Sequence, residues 1–78
     1  MSELRLLSQM RPGESGVLES FSDRTRNLLR LRELGLTPGQ RIEVVRISPL
    51  GDPIEIRLTG FDLCLRKSEA QSIEIRCE

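Results

Sequence analysis

The chain has 78 residues, and its twelve Lys and Arg balance twelve Asp and Glu, leaving no net charge. A domain of this length buries only about 60% of its unfolded surface, which leaves room for one core and none for an elaborate cleft. Zero net charge removes the positive field that draws proteins to phosphate backbones, and two aromatic residues, Phe21 and Phe61, are too few for the stacking platforms of single-strand binders.

No nucleic-acid partner is therefore expected. The opening residues interrupt their apolar side chains with Glu3, Arg5, Ser8 and Gln9, so they form no signal-peptide core. No run approaches the roughly 18 apolar residues of a membrane span either, and the expected location is the cytoplasm. Two cysteines, Cys64 and Cys77, fall short of a disulfide framework and are expected to be free thiols. No repeat or low-complexity segment divides residues 1–78, so a single domain is expected.

In chain order, "LRLLSQMRPGESGVLESFS" opens with an apolar stretch and turns at Pro12-Gly13. It resumes at Val17, Leu18 and Phe21 as a second strand. Pro12 presets φ and Gly13 accepts a positive φ, as a type II turn requires. Residues 23–34 change the period: Leu28, Leu31 and Leu34 form one apolar stripe, which predicts a short amphipathic helix capped by Ser22 or Asp23. Gly35 should end it in a left-handed conformation with Leu36 packing back in a Schellman motif, and Pro38 forbids its resumption. Pro38-Gly39 then makes another turn.

From Arg41 onward the pattern is β. Ile54, Ile56 and Leu58 alternate with Glu55 and Arg57, Leu63 and Leu65 with Asp62, Cys64 and Arg66, and Ile73 and Ile75 with Glu74 and Arg76. "RIEVVRI" is less regular, with Ile42 and Val44 on one face and Val45 and Ile47 on the other; a bulge or burial on both faces would account for it. Gly51 and Gly60 fall in the turns between these strands, and Ser68 with Gln71 resembles a capping box for a single helical turn near 68–71. About five short strands with tight turns predict a mainly β fold, a small closed or nearly closed barrel with one inserted helix.

Little chemistry is available to such a chain. It has no histidine, which removes the side chain best suited to proton transfer near neutral pH and the commonest metal ligand. "GESG" at 13–16 lacks the spacing of a nucleophile elbow and reads as a turn, and no phosphate-binding loop is present. No catalytic, cofactor or metal residues are assigned, and no cofactor is expected.

The one local bias is on the helix, where Arg24, Arg26, Arg30 and Arg32 occur with no acid between them. They are either a solvated face, with Arg30 paired to Glu33, or a surface for an acidic partner. Leu29 sits among them, off the apolar stripe, and is either tucked against the barrel or part of a contact patch. The loop "SPLGDP" raises the same question. Pro49 and Pro53 restrict both ends and Gly51-Asp52 makes the turn, so Leu50 is either a lid over the barrel mouth or held out for protein contact. Arg26, Leu29, Arg30, Pro49, Leu50 and Asp52 are the candidate partner-binding residues.

"LLRLRELGLTPGQRIEVVRISPLGDPIEIRL" followed by "LCLRKSEAQSIEI" closely resembles the FeoA family, the small cytosolic proteins of bacterial ferrous iron uptake. The resemblance is carried by Leu34-Gly35-Leu36 with Pro38-Gly39, by Pro49 to Pro53, and by Leu63 to Lys67 with Ala70 and Ile73. It implies an SH3-like β-barrel with the helix inserted after an early strand. It also implies a partner, the cytosolic GTP-binding domain of the FeoB-type membrane transporter, reached peripherally at the inner face of the membrane. Cys64 departs from the pattern, standing where small polar residues are common in the family.

On this resemblance the expected function is that of a non-enzymatic accessory or regulatory subunit, and a helix arginine offered in trans to the GTPase is a sharper form of it. The same barrel occurs as the C-terminal domain of diphtheria-toxin-repressor-like metal regulators, so a free-standing descendant of that domain is the alternative. Homo-oligomerisation through an unpaired strand edge also stays open.

Overall fold

The computed structural model describes residues 3–22 and 27–77. Among these residues six strands form one antiparallel sheet: β1 (Glu3–Leu6), β2 (Ser15–Phe21), β3 (Arg41–Ile47), β4 (Ile54–Leu58), β5 (Phe61–Leu65) and β6 (Ile73–Cys77). Two short helices accompany it, α1 (Asn27–Glu33) and α2 (Lys67–Ala70), with a 3-10 turn at Leu7–Gln9. The mainly β reading holds, with six strands where about five were expected. Residues 23–26 and the side chain of Leu28, which include the expected helix cap Asp23 and the arginines Arg24 and Arg26, lie outside the described residues.

Spatial order is β1-β6-β2-β3-β4-β5. The last strand in sequence lies between the first two, pairing Arg5 with Ile75 on one side and Leu18 with Ile75 on the other. Alternation then sends one face of every strand from β2 to β6 to a common core: Leu18, Ile42, Val44, Ile54, Ile56, Leu58, Leu65, Ile73 and Ile75 are all buried. Leu7 and Met10, on either side of the 3-10 turn, and Leu31 and Leu36, at the end of α1, join the same cluster. Each such aliphatic side chain contributes about 1.5–3 kcal/mol by leaving water, which is how so small a chain offsets its conformational entropy.

Two bulges correct the phase of the alternation. On β3 the register passes from Val44 opposite Ile56 to Arg46 opposite Glu55, so Val45 is the extra residue. This returns Ile47 to the core face beside Val44, and a bulge is the answer to the irregular "RIEVVRI". Glu19 plays the same part on β2, between Leu18 opposite Ile75 and Ser20 opposite Glu74, and lets Leu18 and Phe21 share a face although they are three apart.

The local signals at the C-terminal end of α1 hold to the atom. Gly35 has φ +99°, its N–H donates to the Arg32 carbonyl at 3.0 Å, and the Leu36 N–H donates to the Leu31 carbonyl at 3.1 Å. These are the two bonds of a Schellman motif, and Leu36 is fully buried against the turn it closes. The turn that follows is docked on the sheet, since the Gly39 N–H donates to the Leu18 carbonyl at 2.8 Å.

At Pro12-Gly13 the Glu14 N–H donates to the Arg11 carbonyl at 3.0 Å, closing the predicted turn. The Glu14 carboxylate accepts the Arg11 N–H at 2.6 Å and an Arg5 guanidinium N–H at 3.1 Å. The Arg11 N–H above all, and then the Arg5 charge, hold this carboxyl below the usual glutamate range.

Gly16 was not singled out by sequence, yet it sits where β2 is paired on both sides, opposite Ile42 and Cys77. A Cβ there would lie 2.5 Å from the Arg76 carbonyl oxygen and 2.6 Å from Ile75 Cγ2. Only glycine lets β6 approach this closely.

Gly16→Ala should therefore cost about 1–3 kcal/mol in urea unfolding, by overpacking the middle of the sheet; an unchanged midpoint would disprove the close approach. Glu14 supplies a pH test. A carboxyl whose folded pKa is depressed adds stability above its unfolded value and loses it as pH falls through the folded one. Melting temperature should fall more steeply on acidification for the native chain than for Glu14→Gln, which keeps an acceptor for Arg11 but cannot titrate.

Candidate functional site

The loop between β3 and β4 is built as a rigid projection. The Gly51 N–H donates to the Ser48 carbonyl at 2.7 Å with Gly51 at φ +85°, and the Ser48 N–H donates across the base to the Pro53 carbonyl at 3.1 Å. The Asp52-Pro53 peptide is cis. Leu50, at the tip, is 93% exposed. That rules out the lid: a side chain so fully in water covers no core.

Asp52 has a role the sequence did not suggest. Its Oδ1 accepts the N–H of Lys67, the first residue of α2, at 3.0 Å. The loop thus satisfies a donor that a helix start leaves without an intrahelical partner. The cap of α2 is accordingly Arg66, in extended conformation at φ −72° and ψ 150°, rather than Ser68. The carboxylate that returns to the cap is Glu69, whose Oε1 accepts the Arg66 N–H at 2.9 Å, and Gln71 instead closes the far end by donating its N–H to the Lys67 carbonyl.

Glu69 is only 5% exposed. Its second oxygen, Oε2, accepts the Arg30 Nε–H at 2.6 Å. The expected partner of Arg30 was Glu33 on the same helix; a buried carboxylate has more to gain from a guanidinium than a solvated one, and it takes the arginine. Arg30 keeps 62% of its side-chain surface in water.

These bonds run from the 48–53 loop through α2 to α1 and so link two separately proposed elements. Leu29, 65% exposed, precedes Arg30 on α1, and Pro49 and Leu50 are exposed on the loop. An open cleft of about 240 Å³ is lined by Arg30, Arg66, Ser68 and Glu69. Of the candidate residues only Arg26 lies outside the described part of the chain. The turn glycines Gly13, Gly35, Gly39, Gly51 and Gly60 all have positive φ. Reading the sequence missed Glu69, although "RKSE" places an acid three residues after the true cap.

Cys64 is exposed on the outer face of β5, and both cysteines are free thiols. Among the described residues no three His, Cys, Asp or Glu side chains converge as a metal site would need, and no helix is long and apolar enough to cross a membrane.

The FeoA domain model matches residues 5–77. The chain belongs to the FeoA domain family. A curated relative from Porphyromonas gingivalis, an Fe(2+) transport protein A/Fe(2+) transporter FeoB fusion protein, is 32% identical over 69 residues. That alignment takes in 88% of this FeoA chain and spans 8% of the relative's length. The solution structure of an FeoA-like protein from Clostridium acetobutylicum superimposes with a TM-score of 0.90 at 27% identity, covering 99% of this chain and 90% of that one.

FeoA of Stenotrophomonas maltophilia, described as a procaryotic SH3 domain protein, superimposes with a TM-score of 0.75 at 30% identity, over 96% of this chain and 88% of that one. The fold of this FeoA chain is thus SH3-like, as the motifs implied. A manganese-dependent transcriptional repressor is also similar, with a TM-score of 0.89 at 20% identity over 44% of its length; at that identity the likeness is one of fold alone.

Glu69→Ala should destabilise the protein by about 1–3 kcal/mol in urea unfolding, because it leaves the Arg66 N–H and the Arg30 guanidinium without their acceptor. Glu33→Ala should stay within about 0.5 kcal/mol of the native chain. Equal effects would mean that Arg30 is not committed to Glu69.

Proposed function

We propose that this FeoA chain is a non-enzymatic accessory subunit of ferrous iron uptake, acting by contact with the cytosolic GTP-binding domain of an FeoB-type transporter. The observation that carries the reading is the Porphyromonas gingivalis relative, in which a matching segment is part of one polypeptide with such a transporter. Fusion keeps two modules at high effective concentration, an arrangement that favours modules that touch. The chain's own chemistry agrees: with no histidine it has no general base suited to neutral pH, and a stiff loop that spends a leucine in water suits a contact better than a reaction. The subunit would work in the cytoplasm, at the inner face of the membrane through its partner.

Contact falls, on this reading, on α1 and the 48–53 loop. Arg30 is already bound to Glu69, which argues against its acting as an arginine finger on the GTPase. A second reading, self-association, is favoured by the two outer strands of the sheet, β1 and β5, each paired on one side only. Light scattering after size exclusion separates the two readings, since a monomer removes the second.

Leu50→Ser should leave unfolding within about 0.5 kcal/mol of the native chain, since the side chain touches so little of its own protein. It should weaken binding to the transporter's purified cytosolic domain in titration calorimetry. In NMR mapping with the same domain, shifts should gather at residues 29–34 and 48–53; shifts confined to β1 and β6 would refute the surface, and the absence of binding would refute the function.

A further inference from the structure

We propose that the cleft between Arg30 and Arg66 receives a carboxylate from an acidic segment of the partner, while Leu29 and Leu50 meet apolar residues flanking that acid. The inference rests on the reading that the partner is the transporter's cytosolic domain, and adds the chemistry of the segment that docks.

The charges on this surface are unevenly spent. Two of its acids are engaged: Glu69 accepts the Arg66 N–H and the Arg30 guanidinium, and Asp52 accepts the Lys67 N–H, while Glu33 on α1 is exposed. Its cations are not so engaged. A guanidinium has five N–H donors, and among the described residues Arg30 uses one, on Glu69. The Arg66 and Lys67 side chains form no ion pair among the described residues. Donors left over beside satisfied acceptors make a site complementary to an anion, within a chain whose net charge is zero.

Arg30 is also positioned in advance. Its bond to the buried Glu69 fixes the guanidinium before any ligand arrives, so less side-chain entropy is lost when a second carboxylate binds its remaining edge.

The flanking residues choose among anions. Leu50 and Leu29 are the most exposed large apolar side chains of the described residues, one on the loop capped onto α2 and the other beside Arg30. A phosphate ion would leave both in water. A membrane surface attracts proteins through a broad basic field, and here Asp52 and Glu69 lie among the cations of a neutral chain. An acidic peptide segment with apolar neighbours matches both parts of the surface.

The test is calorimetric titration of the full chain with the purified cytosolic domain of the transporter, for the native protein, Arg66→Glu, Lys67→Glu and Leu50→Ser. Arg66 and Lys67 contribute only backbone groups to the described bonds, so both charge variants should fold, which the NMR spectrum verifies; Arg66→Gln replaces any that does not. Binding should weaken about tenfold in Arg66→Glu and more modestly in Lys67→Glu, and native affinity should fall as salt rises from about 50 to about 300 mM.

If the charge variants bind like the native chain while Leu50→Ser weakens, the partner contact stands and the carboxylate site is overturned. If the native chain does not bind the domain, both fall. Sedimentation with vesicles of phosphatidylglycerol and phosphatidylcholine should leave the protein in the supernatant; pelleting that Arg66→Glu abolishes would reassign the cleft to lipid headgroups and overturn the proposal.

Discussion

The carboxylate of Glu69 is the point on which the arrangement of α1, α2 and the 48–53 loop is hung. A buried carboxylate is costly unless its oxygens are satisfied, and this one is satisfied by two groups far apart in sequence, the Arg66 N–H and the Arg30 guanidinium. Meeting that requirement starts α2 and ties α1 to it. Two residues from Glu69, Lys67 gives its N–H to Asp52 and brings in the loop. Three segments that the sequence scatters over residues 27 to 70 are thus linked by way of a four-residue helix.

Division of labour in the fold follows from this. The sheet spends its inner face on the aliphatic core, and its outer face carries ordinary exposed pairs, such as Arg57 with Asp62, of the kind that contribute little to stability. What remains for recognition is the material between strands. The loop and helices are stiffened by local devices, a Schellman motif at Gly35 and, in the 48–53 loop, one hydrogen bond across the base and one that closes its turn. Stiffness matters in a domain with so little surface to offer, because each segment ordered in advance lowers the entropy lost on binding.

Features encoded within a few residues of one another were legible in the sequence. The turn at Pro12-Gly13, the end of α1 at Gly35 and Leu36, and the buried faces of β4 and β6 follow from backbone preference and a two-residue period, and the structure contains them. The motif-level resemblance likewise gave the family. What depended on distant pairing was not legible. Arg30 had a plausible neighbour in Glu33, three residues away, and nothing in the order of residues indicates that a glutamate 39 positions on would compete for it. The cap of α2 was misplaced by two residues because its first N–H is satisfied from another loop. Leu50 is the instructive case at the site: proline and glycine revealed a stiff loop, but whether its leucine turned inward depended on what else filled the barrel end.

The strand order carries a consequence of its own. β6 lies between β1 and β2, so the strand that bridges the first two comes after the other five in chain order. A nascent chain leaving the ribosome can form the β3-β4-β5 meander early, from neighbours in sequence, but β1 and β2 have no strand to join them until β6 has been made. Closing that gap brings together residues more than fifty positions apart, a topology that slows folding and makes it one event. A chain cut between Ala70 and Ile73 would accordingly lose the strand that bridges β1 and β2 while keeping α1, α2 and the 48–53 loop.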